Sequence, residues 1–318
     1  MIRSRLAPTP SGYLHLGNAL NFLLTWLLVR RRGGVLKLRI DDADASRSRP
    51  EFVADIFRQL EWLGLTWDEG PTGPDDFAAR HSQLQRLELY RALLTQLGES
   101  GRLFFCTCSR RQINQATVNG LYPGTCRNRR SLPTVPHAIR IQVPPEWSVS
   151  LPVATTGPLT TTGPQPASPT GDFILWRRDG LPAYQLASLA DDLADRINLV
   201  VRGRDLLASS AAQLYLAGQL GAAGQGFWTA TFCHHPLIAA PDGRKLSKSD
   251  QDLSLAAMRE HGATPTRIYR EVAAWLGLDP GPIGSLGELR AAFNASPAAI
   301  SCASPAPAGR PDLQSRKA

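Results

Sequence analysis

Two segments more than two hundred positions apart hold the residues best suited to phosphate chemistry. The first is Ala7-Pro8-Thr9-Pro10-Ser11-Gly12-Tyr13-Leu14-His15-Leu16-Gly17-Asn18. Gly12 and Gly17 let a ligand approach the backbone, and a helix starting near Asn18 offers unpaired N–H groups and a positive dipole end to phosphates. His15 lies where it can donate to a phosphate oxygen. The second segment is Gly243-Arg244-Lys245-Leu246-Ser247-Lys248-Ser249. Lys245 and Lys248 can bring two mobile ammonium groups to one spot, suited to negative charge growing on a transferring or leaving phosphate. Alone, the first segment also reads as a Pro/Gly turn with a capping histidine, and the second as a solvated loop. As an ordered pair on one α/β chain they have few such bland explanations.

A third group is Cys106, Cys108 and Cys126, with Tyr122 among them. Three thiols and a phenol in a short, loop-rich span read as a tetrahedral metal site, since thiolates are preferred zinc ligands and binding would order the segment. A Cys-x-Cys pair is weaker than Cys-x-x-Cys, and buried, unreactive cysteines are the competing reading. The chain has five cysteines, an odd number, which favours metal binding over disulfides. Cys233 and Cys302 read as free thiols.

The elements that must position these groups follow from apolar periodicity. A short strand after the amino terminus, the Pro/Gly loop, an apolar helix over 18–31 and a strand over 35–40 make a β-loop-α-β unit. Such a crossover implies a parallel sheet with the loop at the strand's carboxyl end, where open α/β sheets bind ligands. Phe52, Val53, Ile56, Leu60 and Leu63 predict a helix over 50–63, and residues 81–97 read the same way. Residues 104–130 lose periodicity. Residues 149–170, rich in Pro, Thr and Gly, predict an exposed connection. A helix over 184–192, a strand over 197–202 and a helix over 209–220 follow. Beyond Leu278 the chain turns Pro/Ala/Gly/Ser-rich, and 296–318 predicts a disordered tail.

With 318 residues, 43% of them hydrophobic, the chain can bury a full core, and at ~150 residues per domain it suggests about two domains. No run of ~18 apolar residues is present, and Met1 to Leu6 carries two arginines, so a membrane span and a signal peptide are not expected. A cytoplasmic location is the default. The formal charge of +8 favours a polyanionic partner, although basic composition alone is weak support.

Together these segments resemble the glutamyl branch of the class I aminoacyl-tRNA synthetases. His15 to Asn18 is similar to the HIGH signature, with Asn18 at the second histidine, and Lys245 to Ser249 is similar to KMSKS, with Leu246 for methionine. The resemblance implies a Rossmann-like catalytic domain with a small inserted zinc-binding module and a short helical carboxyl-terminal region. It implies attack of an amino-acid carboxylate on the α-phosphate of ATP, carried with Mg2+. His15, Lys245 and Lys248 would be catalytic, and Gly17 and Asn18 would join them in binding ATP. Arg5-Leu6-Ala7-Pro8-Thr9-Pro10-Ser11-Gly12 resembles Arg-x-Ala-Pro-Ser-Pro-x-Gly, which implies glutamate contacts at Arg5, Ala7 and Thr9. A guanidinium suits a carboxylate because it can bind it bidentately. Leu38-Arg39-Ile40-Asp41-Asp42-Ala43-Asp44 resembles Arg-Ile-Glu-Asp-x-Asp, placing Asp41, one methylene short, at the substrate ammonium. Residues 179–187 resemble Asp-Gly-x-x-x-Tyr-x-x-Ala, and Val201-Arg202-Gly203 a Val-Ile-Arg pattern with one residue fewer, so Tyr184 and Arg202 should also touch the amino acid. His235-Pro236-Leu237-Ile238 is similar to the strand flanking adenine; His234 and His235 are given no chemistry.

The cysteine pattern is similar to that of truncated members of this branch, in which Cys106, Cys108, Tyr122 and Cys126 would hold one structural Zn2+ per chain. These relatives attach L-glutamate to queuosine at the wobble position of tRNA(Asp). With only about seventy residues after the lysine segment, an anticodon-reading domain is not expected. The expected organisation is 1–100 and 191–250 as the two catalytic halves, with 101–190 as the zinc-binding, acceptor-type insert carrying the flexible 149–170 connection. A helical stem-contact region over 251–295 and the 296–318 tail complete it, in a monomer. A freestanding adenylating paralogue that transfers to a small-molecule or protein amine, and a tRNA binder without activation, remain alternatives.

Overall fold

The strand β1 (Arg3–Leu6) leads through the Pro/Gly segment into α1 (Leu16–Arg31), and β2 (Val35–Leu38) returns parallel to β1, pairing Arg3 with Val35 and Leu6 with Leu38. This is the expected β-loop-α-β unit. The structure is a computed structural model describing residues 1–117, 121–154, 161–169, 171–237, 254–296 and 304–307. From Ala19 to Val29 nearly every side chain of α1 is buried, so it is a central helix and not an amphipathic surface one. The helix α2 (Pro50–Trp62) is amphipathic, starts with Pro50 in its first turn, and buries Val53, Ile56 and Leu60.

Periodicity predicts a helix from His81, but after the short α3 (Pro74–Asp76) regular helix resumes only with α4 (Leu87–Gly98). Ser82 is extended, and its hydroxyl accepts from the Leu84 N–H at 3.2 Å, capping a tight turn that buries Gln83. The strand β3 (Leu103–Cys106), the helix α5 (Arg110–Ala116) and the strand β4 (Ala138–Ile141) follow.

The predicted exposed connection over 149–170 is different in the structure. There, β5 (Val149–Ala154) and β6 (Thr161–Ala167) form an antiparallel hairpin. Val149, Leu151 and Val153 are buried on one face, a period-two pattern hidden in the sequence by Pro152 and the Pro/Thr/Gly run beyond it. The prolines of β6 are tolerated because it pairs only with β5.

The chain continues through β7 (Phe173–Trp176), α6 (Tyr184–Ala194), β8 (Leu199–Gly203), α7 (Leu207–Gln219), α8 (Gln225–Trp228) and β9 (Thr231–His235). β3, β4 and β7 make a separate antiparallel sheet. β8 and β9 are parallel, and β5 joins β9 in parallel at Val153 and His234. β1 lies beside β8: the Asn198 N–H donates to the Arg3 carbonyl at 3.0 Å, and Ser4 Oγ to the Leu199 carbonyl at 2.7 Å. The order β2, β1, β8, β9, β5 reverses direction between β1 and β8, which opens a crevice at their carboxyl ends.

The helices α9 (Leu255–Glu260), α10 (Pro265–Trp275) and α11 (Leu286–Ala295) bury Leu255, Ile268, Val272, Leu289 and Phe293 in the same core as α1 and α2. Each such side chain contributes about 1.5–3 kcal/mol of burial. Within the tail predicted to be disordered, β10 (Ala306–Pro307) pairs with Val149 and Ser150; its remainder lies outside the described residues. Among the described residues no helix is long and apolar enough to cross a membrane.

Candidate active site

A cavity of about 720 Å³ opens at the carboxyl ends of β1 and β8. Ala7, Pro8 and Thr9 follow β1 into its wall; His15, Gly17 and Asn18 come from the head of α1, Arg202 and Gly203 from β8, and His235 from β9. Asn18, where a second histidine was the reference, serves the turn itself: its Oδ1 accepts from the His15 N–H at 3.0 Å. Gly17 packs under the His15 ring, which a Cβ there would press on at 3.0 Å. Thr9 and Tyr184, the first residue of α6, line this cavity and also a second one, of about 1040 Å³, whose wall includes Asp41. The structure therefore gathers Arg5, Ala7, Thr9, His15, Gly17, Asn18, Tyr184 and Arg202 at one cavity and Asp41 at its neighbour.

Lys245 and Lys248 lie outside the described residues. The chain on either side of them is at the site. Leu237 lines the first cavity, and Ser254 bridges His15 while the Leu255 N–H donates to the Leu14 carbonyl at 2.7 Å.

Beneath the cavity lies a buried set of charges. Arg5 Nε donates to Asp192 Oδ1 at 3.0 Å and Arg39 Nη1 to the same oxygen at 2.6 Å, while Arg202 Nη2 is 3.7 Å from Oδ2. Arg39 also grips Asp41 through Nε at 2.6 Å and Nη2 at 3.2 Å. Asp191 accepts from Gln83 at 2.7 Å and Tyr90 at 3.0 Å and pairs with Arg86 at 2.9 Å. Burial opposes ionisation of Asp192, yet Arg5, Arg39 and Arg202 hold it below the usual carboxylate range. Asp191 goes the other way, pushed up to about 6 by burial against the pull of Arg39 and Arg86. Burial lowers Arg5, in spite of the attraction of Asp192. Arg5, Arg39 and Arg202 thus converge on Asp192, with Asp41 engaging Arg39 as well, so that three guanidiniums share two carboxylates where Arg5 and Arg202 line the cavity.

Arg39, Asp191 and Asp192 carry this set, and motif reasoning assigned none of them a role. The available signal was Asp191-Asp192 inside the apolar run from Leu186 to Leu193, because acids on a buried helix face require cationic partners. His234 also acquires a part. Its Nε2 lies 2.8 Å from Ser210 Oγ and its Nδ1 3.1 Å from the Pro152 carbonyl, so Nδ1 donates and Nε2 accepts. Ser210 in turn accepts from Arg202 at 3.1 Å.

Near the second cavity, the sulfurs of Cys106, Cys108 and Cys126 lie within 4.8 Å of one another, so one metal ion could be held by all three. Tyr122 Oη accepts from the Cys126 N–H at 2.9 Å and is 3.4 Å from Cys106 Sγ. Burial and the neighbouring sulfurs push Cys108 up to about 11. Burial also opposes the Cys126 thiolate, but the Thr107 N–H and the Tyr122 hydroxyl hold it down at about 7.

Comparison with known proteins agrees with this geometry. The family described as tRNA synthetases class I (E and Q), catalytic domain, matches residues 1–280. The Glutamyl-Q tRNA(Asp) synthetase of Symbiobacterium thermophilum is 39% identical over 304 residues, spanning 89% of this chain and 90% of the relative. The protein of the same name from Nitratidesulfovibrio vulgaris is 37% identical over 296 residues, spanning 88% of each. The crystal structure of glutamate-tRNA synthetase from Elizabethkingia anophelis superposes with a TM-score of 0.69 at 26% identity, over 94% of this chain and 67% of that one. The α/β fold with a metal-competent cysteine module is that of a class I synthetase catalytic domain.

Two stability measurements test the buried set. Replacing Asp192 by Asn leaves three guanidiniums without their shared anion, and urea unfolding should show a loss of about 3–5 kcal/mol. A loss indistinguishable from that of a surface change would show that the cluster is not structural. His234 is held by burial and by Arg202 at about 3 instead of its usual 6.5. Its stabilising contribution is therefore complete above pH 6.5 and is lost as the pH falls towards 3, by about 1.4 kcal/mol per pH unit. The His234→Gln variant should have a correspondingly flatter profile between pH 6.5 and 5; parallel profiles for the two proteins would contradict the assignment.

Proposed function

The chain belongs to the class I (E and Q) tRNA synthetase catalytic-domain family, a family of ligases, and we propose that it activates L-glutamate with ATP as glutamyl-adenylate and passes the glutamyl group to queuosine of tRNA(Asp). The observation that carries the glutamate assignment is that Arg5 and Arg202, both lining the first cavity, share the single carboxylate Asp192. A substrate carboxylate entering the first cavity supplies the missing anion, and guanidiniums already fixed by Asp192 lose little freedom in binding it. Ala7 lines the first cavity, Thr9 and Tyr184 shape the wall between the two, and Asp41 meets the ammonium from the adjoining side.

ATP lies along the head of α1, where the helix dipole faces the phosphates and Gly17 allows close approach. The α-carboxylate oxygen attacks the α-phosphorus and pyrophosphate leaves. His15 donates to the phosphate, while Lys245 and Lys248 neutralise charge that builds on the leaving oxygens. An acceptor hydroxyl then attacks the mixed anhydride and AMP departs. Mg2+ enters with ATP as part of that substrate. The queuosine acceptor is favoured by relatives of that name which share most of their length with this chain. The reaction is assigned to a cytoplasmic monomer.

The cysteine module fits a tetrahedral ion. Zinc–sulfur bonds of about 2.3 Å put tetrahedral ligands about 3.8 Å apart. Cys108 and Cys126 Sγ are already 3.4 Å apart, as are Cys106 Sγ and Tyr122 Oη. These four would hold one Zn2+, whose role is to order the module.

Labelled glutamate should be incorporated into tRNA(Asp) containing queuosine and not into the same tRNA lacking it. Glutamate-dependent pyrophosphate exchange without incorporation into either RNA would overturn the acceptor and favour transfer to an amine. Exchange should fall about 10²–10³-fold in His15→Ala or Lys248→Ala. Metal analysis of chelator-free protein should give about one zinc per chain, lost in the Cys106→Ser, Cys108→Ser double variant; full retention would exclude the site.

A further inference from the structure

The second cavity has a cationic floor that glutamate activation does not use. Its carboxylates are already engaged: Asp41 by Arg39, and Asp44 and Asp179 by Arg177, with Arg47 also on Asp44. Three other guanidiniums in the lining, Arg110, Arg140 and Arg178, have no carboxylate partner among the described residues. Arg178 donates to the Cys108 carbonyl at 2.6 Å, and Arg110 is exposed at the rim. Arg140, on β4, is the unusual one. Only 7% exposed, it donates through Nη1 to the Asp172 carbonyl at 2.9 Å and lies 4.1 Å over the Tyr122 ring. Its Nε has no hydrogen-bond partner.

A buried guanidinium without a carboxylate partner is costly, and an anion arriving at the part of it that lines the cavity relieves the cost. The cavity is large enough for a nucleotide, and shares Thr9 and Tyr184 with the activation cavity. We infer that the second cavity receives the acceptor nucleotide of an RNA, with Arg140 as the buried anchor for a flanking phosphodiester and Arg110 and Arg178 as its outer contacts. An RNA entering here brings a hydroxyl to the wall behind which the mixed anhydride forms. This rests on the proposed transfer to RNA. It adds the entry side and the residues that hold the backbone. Stacking on Tyr122 also couples the anchor to the cysteine module, so an ordered module presents an ordered phosphate site.

The test is equilibrium binding of a tRNA(Asp) transcript to the full chain over a salt series, with zinc content measured on each protein. Arg140→Met should weaken binding about tenfold and reduce the slope of log affinity against log salt by about one, as for loss of one phosphate contact. Arg140→Lys should recover most of both, and zinc should stay at the wild-type level. Unchanged affinity and slope in a zinc-replete Arg140→Met protein would overturn the inference. If that variant loses zinc or fails to fold, the exposed Arg110→Ala decides: its slope must also fall by about one, and an unchanged slope counts against the pocket. Inorganic phosphate binding that depends on Arg140, without RNA binding that does, would overturn the RNA assignment in favour of a free anion. Arg140-dependent RNA binding with no glutamate transfer would instead remove the proposed reaction and leave the pocket standing.

Discussion

The carboxylate of Asp192 is the point on which the rest of the molecule depends. Arg5 comes from β1, Arg39 from just beyond β2 and Arg202 from β8, and each is drawn to this one group on α6. Taken separately, three guanidiniums at this depth would be prohibitively desolvated; around one shared anion they are sustainable. That single group therefore fixes the register of two β-α units against a third helix. Since the positive charge is not fully cancelled, the same arrangement that closes the core leaves an anion-seeking wall above it. In the proposed reaction, structural and functional demands fall on the same atoms.

From this follows the division into two cavities. Thr9 and Tyr184 stand between a side facing Arg5, Arg202 and the head of α1 and a side facing Asp41 and the cysteine module. In the proposed reaction, activation uses the helix terminus and cationic wall of the first side, and acceptance uses the room and guanidiniums of the second. The hairpin β5–β6 supports the first side from behind, because β5 flanks β9 and the Pro152 carbonyl fixes the tautomer of His234, through which Ser210 is held against Arg202.

Much of this was legible in the sequence where residues act locally. The run from Ala7 to Asn18 specifies a strand-loop-helix turn through its glycines and an apolar helix behind it, and the turn forms as read. What was not legible depends on partners remote in the chain. Arg39 and Asp192 are 153 positions apart, and neither spacing nor periodicity pairs them. β5 escaped because Pro152 and the polar run after it dominate composition, whereas the buried alternation of Val149, Leu151 and Val153 becomes decisive only once β9 is beside it. His234 lacks any ligand spacing, and its place behind Ser210 and Arg202 is a tertiary fact.

In the proposed reaction Asp41 stands at the substrate ammonium where the family pattern has a longer acid. An acid one methylene shorter should leave the substrate ammonium out of reach or bridged by water if the side chain hung freely from its strand. Here Arg39 grips both of its oxygens, and Gln83 Nε2 lies 3.4 Å from one of them. The carboxylate is thus held in one plane, with little rotamer freedom left to lose when a cation arrives. Reach is exchanged for orientation. Gln83 belongs to the turn that interrupts the predicted helix before α4, and it also donates to Asp191 at 2.7 Å. The interruption therefore supplies the group that lets a shorter acid remain aligned with the wall shared by Thr9 and Tyr184.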